Sequence, residues 1–260
     1  YGDDINDWLK EFTENSDISN NTFKKISKST HWYRKAKCAT KFEDKLLYSW
    51  VALESILKVS NSIRININPK DSSIINVAKV ICSSVMARNK FYSYANNMYT
   101  HLVMTTQQFN NYYGFTSKTI ESAKLNIQPG DKIELTKFFV ELPRLIAEIN
   151  DEIFKRDLIA LQSFYEDKKR IIDFKNLISD DVTLIYRLRN MIVHNAVCPE
   201  FIIKLYAHKA QFISGSLIQA VRYHYNKYGM DIDETLLKIY SDYQILENNI
   251  LCEIKKLKGV

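Results

Sequence analysis

The chain contains few of the residues that interrupt helices or cross-link small folds. Its 260 residues include 6 glycines, 4 prolines and 4 cysteines. This scarcity of turn-forming residues argues against a fold of many short strands joined by tight turns. The cysteines are far apart along the chain and none has the spacing of a zinc site. We therefore expect free thiols in a reducing cytoplasm, and neither a metal nor another cofactor.

Long apolar runs are also missing. No stretch approaches the roughly 18 apolar residues that span a bilayer, so we expect no membrane helix. The first 17 residues are acidic where a secretion signal would be basic and apolar, so we expect no signal peptide. The chain starts at Tyr1 without a methionine. We interpret it as a fragment or a processed product, with a further partner domain left open.

Acidic residues are missing from two regions and scarce in a third. Residues 18–42 and 72–120 contain none, and residues 182–230 contain only Glu200, although the whole chain has a net charge of +6. If these regions meet in space, they form one electropositive face suited to a phosphate backbone. The alternative is three helices that each have a separate solvated basic face. The candidate RNA-binding residues from these regions are Lys35, Lys37, Lys204, Lys209 and His208.

Apolar residues recur every three or four positions over most of the chain, which is typical of helices. The predicted helices are 4–12, 41–59, 73–112 (one bent helix or two), 134–167 with an interruption at Pro143, Asp180 or Asp181 to about Asn195, 199–229 and 233–257. A turn is expected at Pro129, Gly130 and Asp131. This pattern predicts an all-α, antiparallel helical bundle.

Three domains are expected along the chain. Residues 1–40 form a basic N-terminal extension, residues 41–228 form the main helical domain, and residues 229–260 form a C-terminal helix that packs on the bundle. Within the main domain, we expect an insertion between about 112 and 178.

The most informative segment is VTLIYRLRNMIVHNAV, residues 182–197. It has an apolar face, and several polar residues crowd its end. Arg187, Asn190 and His194 share one face of a regular helix, at i, i+3 and i+7. Arg189 lies five residues before His194, about 140° round an ideal helix. Their side chains therefore converge only if the helix loosens near its end or if two chains share the site.

Spacing alone leaves ordinary structural roles open for these residues. His194 can be a surface or core histidine, Arg189 can pair with an acid from residues 121–181, and Asn195 can simply end the helix. The neighbouring Asp180 and Asp181 suit a helix cap better than a metal site, because no third ligand accompanies them. Several tyrosines offer base-stacking surfaces or core packing, namely Tyr92, Tyr94, Tyr99, Tyr112 and Tyr113.

Two strings resemble a known superfamily. RNMIVH, from Arg189 to His194, resembles the Arg-polar-x-x-x-His signature of the HEPN superfamily. YSWVALESIL, residues 48–57, is similar to the Trp-x-x-Leu-Glu helix of its ApeA-like branch, which occurs in anti-phage defence proteins. The resemblance covers roughly residues 40–228. Arg187 also has a permitted spacing to His194, but the asparagine after Arg189 makes Arg189 the better match.

The resemblance implies a four-helix core and a metal-independent endoribonuclease that acts as a toxin or an anti-phage effector. The implied catalytic residues are Arg189, Asn190 and His194, and Glu54 and Arg187 support them. An RNA 2′-hydroxyl would attack the adjacent phosphorus in a composite site of a homodimer, under the control of an antitoxin or regulatory domain. The imidazole suits proton transfer and the guanidinium suits phosphorane binding.

Two other functions compete with this prediction. One is a catalytically silent HEPN module that dimerises or binds nucleic acid for a larger defence protein. The other is a helical scaffold unrelated to the superfamily, in which Arg189 would be buried and paired away from any cleft. A metal-dependent nuclease is disfavoured, because the sequence has no carboxylate cluster at a suitable spacing.

Overall fold

The computed structural model describes residues 20–126, 135–194 and 198–257. Over these residues the chain forms ten helices and no strand, which confirms the all-α prediction. The helices are α1 (Asn20–Cys38), α2 (Phe42–Leu57), α3 (Asn61–Ile67), α4 (Ile74–Gln108), α5 (Ser117–Ser122), α6 (Leu135–Glu148), α7 (Glu152–Glu166), α8 (Lys168–Val193), α9 (Glu200–Tyr228) and α10 (Ile232–Leu257). The predicted helix 4–12 and the predicted turn at residues 129–131 lie outside the described residues.

The chain divides into two compact units. The first comprises Tyr1–Val85 and Leu177–Asp242, and the second comprises Met86–Asn176 and Tyr243–Val260. The boundaries fall inside α4, α8 and α10, so each of these helices contributes residues to both units. The residues that carry the chemistry predicted from the sequence all belong to the first unit.

In the first unit, α2 packs against α1 and α9, and α1 also packs against α9. A buried hydroxyl joins the first two helices, since Ser29 Oγ donates to the carbonyl of Ala52 at 2.7 Å. The indole of Trp50, only 1% exposed, packs against the Tyr186 ring with centroids 5.2 Å apart. The motif-bearing helix α8 is thereby held against α2.

Aromatic packing dominates the second unit. The Phe91 and Phe139 rings stack at 5.4 Å, and the Tyr99 ring meets Phe138 edge-on at 5.3 Å. Tyr99 is 3% exposed, so it belongs to this core and offers no surface for a base. Burial of large aromatic side chains contributes strongly to a small core.

The structure corrects two predicted helix boundaries. Helix α8 begins at Lys168, and Asp181 lies in its interior, where it binds Lys209 rather than capping a helix start. Ile171 and Ile178 lie seven residues apart, which is about two helical turns, and both are buried. Because their burial stabilises a helix, the segment before Asp181 is helical too. Helix α6 likewise continues through Pro143, so the predicted interruption there is wrong.

The continuation through Pro143 has a packing explanation. Leu142 and Leu145 on either side are 1% and 0% exposed. Their burial offsets the hydrogen bond that proline cannot make. The chain breaks instead after Glu148, and the Asp151 carboxylate caps α7 by accepting from the Phe154 amide at 2.9 Å.

Candidate functional site

The motif residues lie at the C-terminal end of α8. Leu188, 6% exposed, packs with Leu46 and Ala207, and Met191 and Ile192 lie against this cluster. The apolar side of the helix is therefore fixed against α2 and α9. Arg187 and His194 are exposed and Asn190 is half-buried, in agreement with a polar face formed by these three positions.

Arg189 is half-buried and its guanidinium is held in place locally. Its Nη1 donates to Asn190 Oδ1 at 2.9 Å. This bond leaves the remaining donors of the guanidinium for another acceptor. Among the described residues, Arg189 forms no ion pair with an acid from residues 121–181, so that structural alternative finds no support in this part of the chain.

His194 follows the last residue of α8. Its backbone amide donates to the carbonyl of Asn190 at 3.0 Å, which keeps the helical geometry for one more residue. Its imidazole is exposed. In the part of the chain that the structure describes, no hydrogen bond joins His194 to Arg189, as their separation round the helix predicts. Asn195 lies outside the described residues.

Glu54 lies near a lysine of its own segment and not near the motif arginines among the described residues. Its Oε2 lies 4.0 Å from the Nζ of Lys58, which is four residues later in the chain. An ion pair with Arg187 or Arg189 is not found among the residues that the structure describes. Its supporting role stays a prediction.

Two of the basic regions meet at one end of the first unit. The Phe42 ring, at the start of α2, lies 5.7 Å from the His208 ring, and Lys204 Nζ lies 5.6 Å from the Phe42 centroid. Phe42 also packs against the cluster of Leu46, Leu188 and Ala207. The starts of α2 and α9 and the end of α8 therefore meet around Phe42, close along the chain to the end of α1.

The predicted RNA-binding residues differ in how far they are free to bind a phosphate. Lys35, Lys37, Lys204 and His208 are exposed. Lys209 is engaged, because its ammonium binds both carboxylate oxygens of Asp181 at 2.7 and 2.9 Å. Its charge is thus largely compensated, and it is the weakest of these five candidates.

Several aromatic side chains are buried or bonded within the protein and are therefore not available as ligand-binding groups. His224 is 2% exposed, and its ring packs against Tyr228 at 5.8 Å, so it cannot line an open cleft. Among the tyrosines, Tyr113 is 2% exposed and the Tyr94 hydroxyl donates to the carbonyl of Asp157 at 3.2 Å. Only Tyr92 and Tyr112 of that set are exposed.

The structure also reveals a surface that the sequence analysis missed. Phe201, Leu205 and Phe212 on α9 are 73%, 52% and 66% exposed. At i, i+4 and i+11 they lie on one face of the helix. The spacing of these three residues is also typical of a buried helical face. The sequence alone therefore does not predict that their side chains are exposed.

Within the described residues, no three His, Cys, Asp or Glu side chains form a group able to hold a metal ion. Also within them, no helix is long and apolar enough to cross a membrane. Cys38, Cys82 and Cys198 are free, and burial raises the pKa of the Cys82 thiol to about 12. Cys82 is therefore an inert core residue.

Comparisons of the chain with protein-family models, with curated proteins and with solved structures gave no match.

Proposed function

We propose that the protein is a metal-independent endoribonuclease of the HEPN type, with Arg189, Asn190 and His194 as its catalytic residues. The observation that carries the proposal is the arrangement at the end of α8. A guanidinium oriented by Asn190 and an exposed imidazole lie on the last two turns of a helix whose other side is fixed in the core. The resemblance of RNMIVH to the HEPN signature is the reason to assign ribonuclease activity to this arrangement.

The residues match the chemistry of RNA transesterification. The 2′-oxygen forms a bond to the adjacent phosphorus, and the bond from phosphorus to the 5′-oxygen breaks. His194 takes the proton from the 2′-hydroxyl or gives one to the departing 5′-oxygen. Arg189 donates to the non-bridging oxygens, whose negative charge increases in the phosphorane. The products are a 2′,3′-cyclic phosphate and a 5′-hydroxyl.

A second protomer would complete the site. In one chain Arg189 and His194 are separated round the helix, so a shared site is the simpler way to bring both to one phosphate. The exposed Phe201, Leu205 and Phe212 offer an apolar face on the helix that follows the motif. A symmetric homodimer would bury this face, and its exposure in the single chain supports such a dimer.

The biological role follows from the resemblance alone. An endoribonuclease of this type would act as a toxin or an anti-phage effector on host or phage RNA in the cytoplasm. An antitoxin or a regulatory domain would then restrain it, since an unrestrained ribonuclease would harm its own cell.

The first experiment is cleavage of total RNA in the presence of EDTA. Wild type is compared with His194→Ala and Arg189→Ala, and with the controls His101→Ala and Arg156→Ala in the second unit. We expect cleavage by wild type and both controls, and a loss of at least about 100-fold in the two site variants, as for removal of a general acid–base or an oxyanion donor. End-group analysis should find cyclic phosphates. Thermal melts confirm that each variant is folded.

A catalytically silent binding module is the second candidate, and one observation favours it. Arg189 is held by Asn190 and has no contact with His194 among the described residues. If folded wild type binds RNA but cleaves no tRNA, mRNA or rRNA, the module replaces the enzyme. If it neither binds nor cleaves, both proposals are wrong and an unrelated scaffold remains.

A further inference from the structure

Helix α1 carries a row of three lysines and one histidine on its exposed face. Lys24, Lys28, His31 and Lys35 are exposed and lie at i, i+4, i+7 and i+11, which places them on one side of the helix. We call these four residues the basic stripe. Arg34 and Lys37 are exposed beside it, and α1 contains no acidic residue.

The cations of the basic stripe are not compensated within the described part of the chain. None of the carboxylates described there lies within ion-pair distance of Lys24, Lys28 or Lys35. Lys35 Nζ lies 4.6 Å from the centre of the Trp32 ring, a contact that positions the ammonium without neutralising it. Surface lysines without partners repel one another, so an external polyanion would be stabilising there.

The stripe has the dimensions of a track for a backbone of repeated charges. Eleven residues of α-helix separate Lys24 from Lys35, a rise of about 16 Å at 1.5 Å per residue. A nucleic-acid strand in a duplex advances about 3.4 Å per phosphate. At that spacing the stripe is long enough to face several successive phosphates, with one basic side chain for each helical turn.

The C-terminal end of the stripe is close along the chain to Phe42, which packs beside the motif helix. Lys35 is seven residues before Phe42, and the Phe42 ring contacts His208 and packs beside Leu188 on the motif helix. A strand that follows α1 toward its C-terminal end is thus directed to the end of the first unit where Lys204, His208 and His194 are exposed.

We propose that the basic stripe of α1 is a docking track for the phosphate backbone of RNA, which leads the strand to the motif at the end of α8. The choice of RNA rests on the proposed function. The choice against a membrane surface rests on the structure, because no large apolar side chain is exposed on the described residues of α1. The choice against base recognition rests on Trp32, which is half-buried and packs against Tyr48 at 5.5 Å.

The test measures binding of a fluorescein-labelled single-stranded RNA by anisotropy, with EDTA present. All proteins carry His194→Ala, so that cleavage does not obscure binding. The stripe variant adds Lys24→Gln, Lys28→Gln and Lys35→Gln. The control variant adds Lys70→Gln, Lys118→Gln and Lys169→Gln, which remove the same charge from exposed positions outside α1.

We expect the stripe variant to lose affinity about 100-fold at 0.1 M salt, and the slope of log K against log salt to fall by about 2, because each lost single-strand phosphate contact removes about 0.7 from the slope. The control variant should lose less than about 5-fold. Equal losses in the two variants would show that only net charge matters and would overturn the proposal.

A membrane arm and a cleavage arm complete the test. Stripe-dependent binding to vesicles of phosphatidylcholine with about one-fifth phosphatidylserine, without binding to RNA, would assign the stripe to a membrane and overturn the proposal. Stripe-dependent RNA binding by a wild type that cleaves nothing supports the track and contradicts the endoribonuclease. Cleavage that is unchanged by the stripe substitutions in an otherwise wild-type chain contradicts the track and leaves the endoribonuclease intact.

Discussion

At the residue scale, the pair Asp181–Lys209 is asymmetric. The Asp181 side chain is 8% exposed and the Lys209 side chain 35%. Both carboxylate oxygens accept from the ammonium, so the buried partner depends on the exposed one for its charge compensation. A lysine can extend its ammonium into water when its partner is lost, but a buried carboxylate cannot.

We therefore expect Lys209→Met to lower the free energy of unfolding by about 2–3 kcal/mol, and Asp181→Asn to lower it by only about 1 kcal/mol. Urea denaturation measures both values. Lys204→Met is the matched control, because Lys204 is exposed, and it should change the value by less than about 0.5 kcal/mol. Equal costs for Lys209→Met and Asp181→Asn would contradict this account of the pair.

The same pair shows what the sequence can predict about single residues. An aspartate ahead of an apolar run is a common helix cap, and Asp181 has that local pattern. Its partner lies 28 residues later, on another helix, and no local pattern contains that information. By contrast, the shared face of Arg187, Asn190 and His194 follows from helical geometry alone. Two of these side chains are exposed and Asn190 is half-buried, as a polar face at the edge of the core requires.

At the scale of helices, α1 and α9 approach closely where Gly215 faces Tyr33. A Cβ at residue 215 would lie 2.8 Å from Tyr33 Oη and 3.0 Å from its Cζ. Glycine is thus favoured there by space, because a Cβ would force the Tyr33 ring to shift, and not by backbone conformation. Burial also raises the pKa of the Tyr33 hydroxyl, as expected for a phenol in a helix contact.

We expect Gly215→Ala to destabilise the chain by about 1–2 kcal/mol in urea denaturation, since the overlap outweighs the better helix propensity of alanine. In a Tyr33→Leu background the same change should be neutral or stabilising. Gly229→Ala is the control. No atom lies within 4 Å of a Cβ built at residue 229, but the φ of 65° disfavours alanine, so its cost should be the same in the wild-type and the Tyr33→Leu backgrounds. A Gly215→Ala cost that persists in Tyr33→Leu would contradict the steric explanation.

The Glu148 carboxylate joins α6 to the start of α5. It accepts from the Thr116 amide at 3.0 Å, from the Thr119 hydroxyl at 2.7 Å and from Arg144 Nε at 3.1 Å. Burial alone would raise the pKa of this carboxyl, but the three donors outweigh burial and lower the pKa below its usual value. Stability from this group is therefore present above pH about 4 and is lost as the pH falls through the lowered pKa.

We accordingly expect Glu148→Gln to lower the free energy of unfolding by about 1–2 kcal/mol at pH 7. The difference from wild type should shrink from pH 5 to pH 3, because below the ordinary pKa of glutamate the unfolded chain binds this proton more readily than the folded chain. Urea denaturation at pH 7, 5 and 3 measures it. Glu152→Gln, whose side chain is 80% exposed, should show no such trend. A difference that stays constant with pH would show that the charge of Glu148 is unimportant.

Apolar periodicity predicts which segments are helical, but it predicts less well where each helix ends. The end of α4 depends on Asn110 and Asn111, which adopt φ of 48° and 61°. The Asn111 side chain stabilises that turn by accepting from the Phe115 amide at 3.0 Å. Gly114, which the sequence marks as a break, has a φ of 72°, so glycine and asparagine share the task of ending this helix.

At the scale of the whole molecule, the sequence shows where the basic regions lie along the chain, but it does not show which of them meet in space. The basic regions 18–42 and 182–230 meet through Phe42, His208 and Lys204. The region 72–120 contributes to both compact units, since the boundary in α4 falls between Val85 and Met86. Contacts of this kind depend on tertiary packing, and a single sequence contains no direct signal of them.

The exposed apolar face of α9 leads to a prediction about assembly. We expect wild type to sediment as a dimer at micromolar concentration, and Phe201→Glu with Phe212→Glu to sediment as a monomer that has lost RNA cleavage. A charge introduced at an apolar interface must be desolvated without a partner. Ile153→Glu is the control, because Ile153 is equally exposed at 71% but belongs to the second unit.

A shared active site makes a stronger prediction than dimerisation alone. If the Arg189 of one protomer acts with the His194 of the other, a heterodimer of His194→Ala and Arg189→Ala chains retains one complete pair. Random exchange of equal amounts gives about half heterodimers, so the mixture should recover about a quarter of wild-type cleavage from two inactive proteins. If the dimer forms but the mixture stays inactive, both residues must come from one chain, and the end of α8 would then have to loosen when RNA binds.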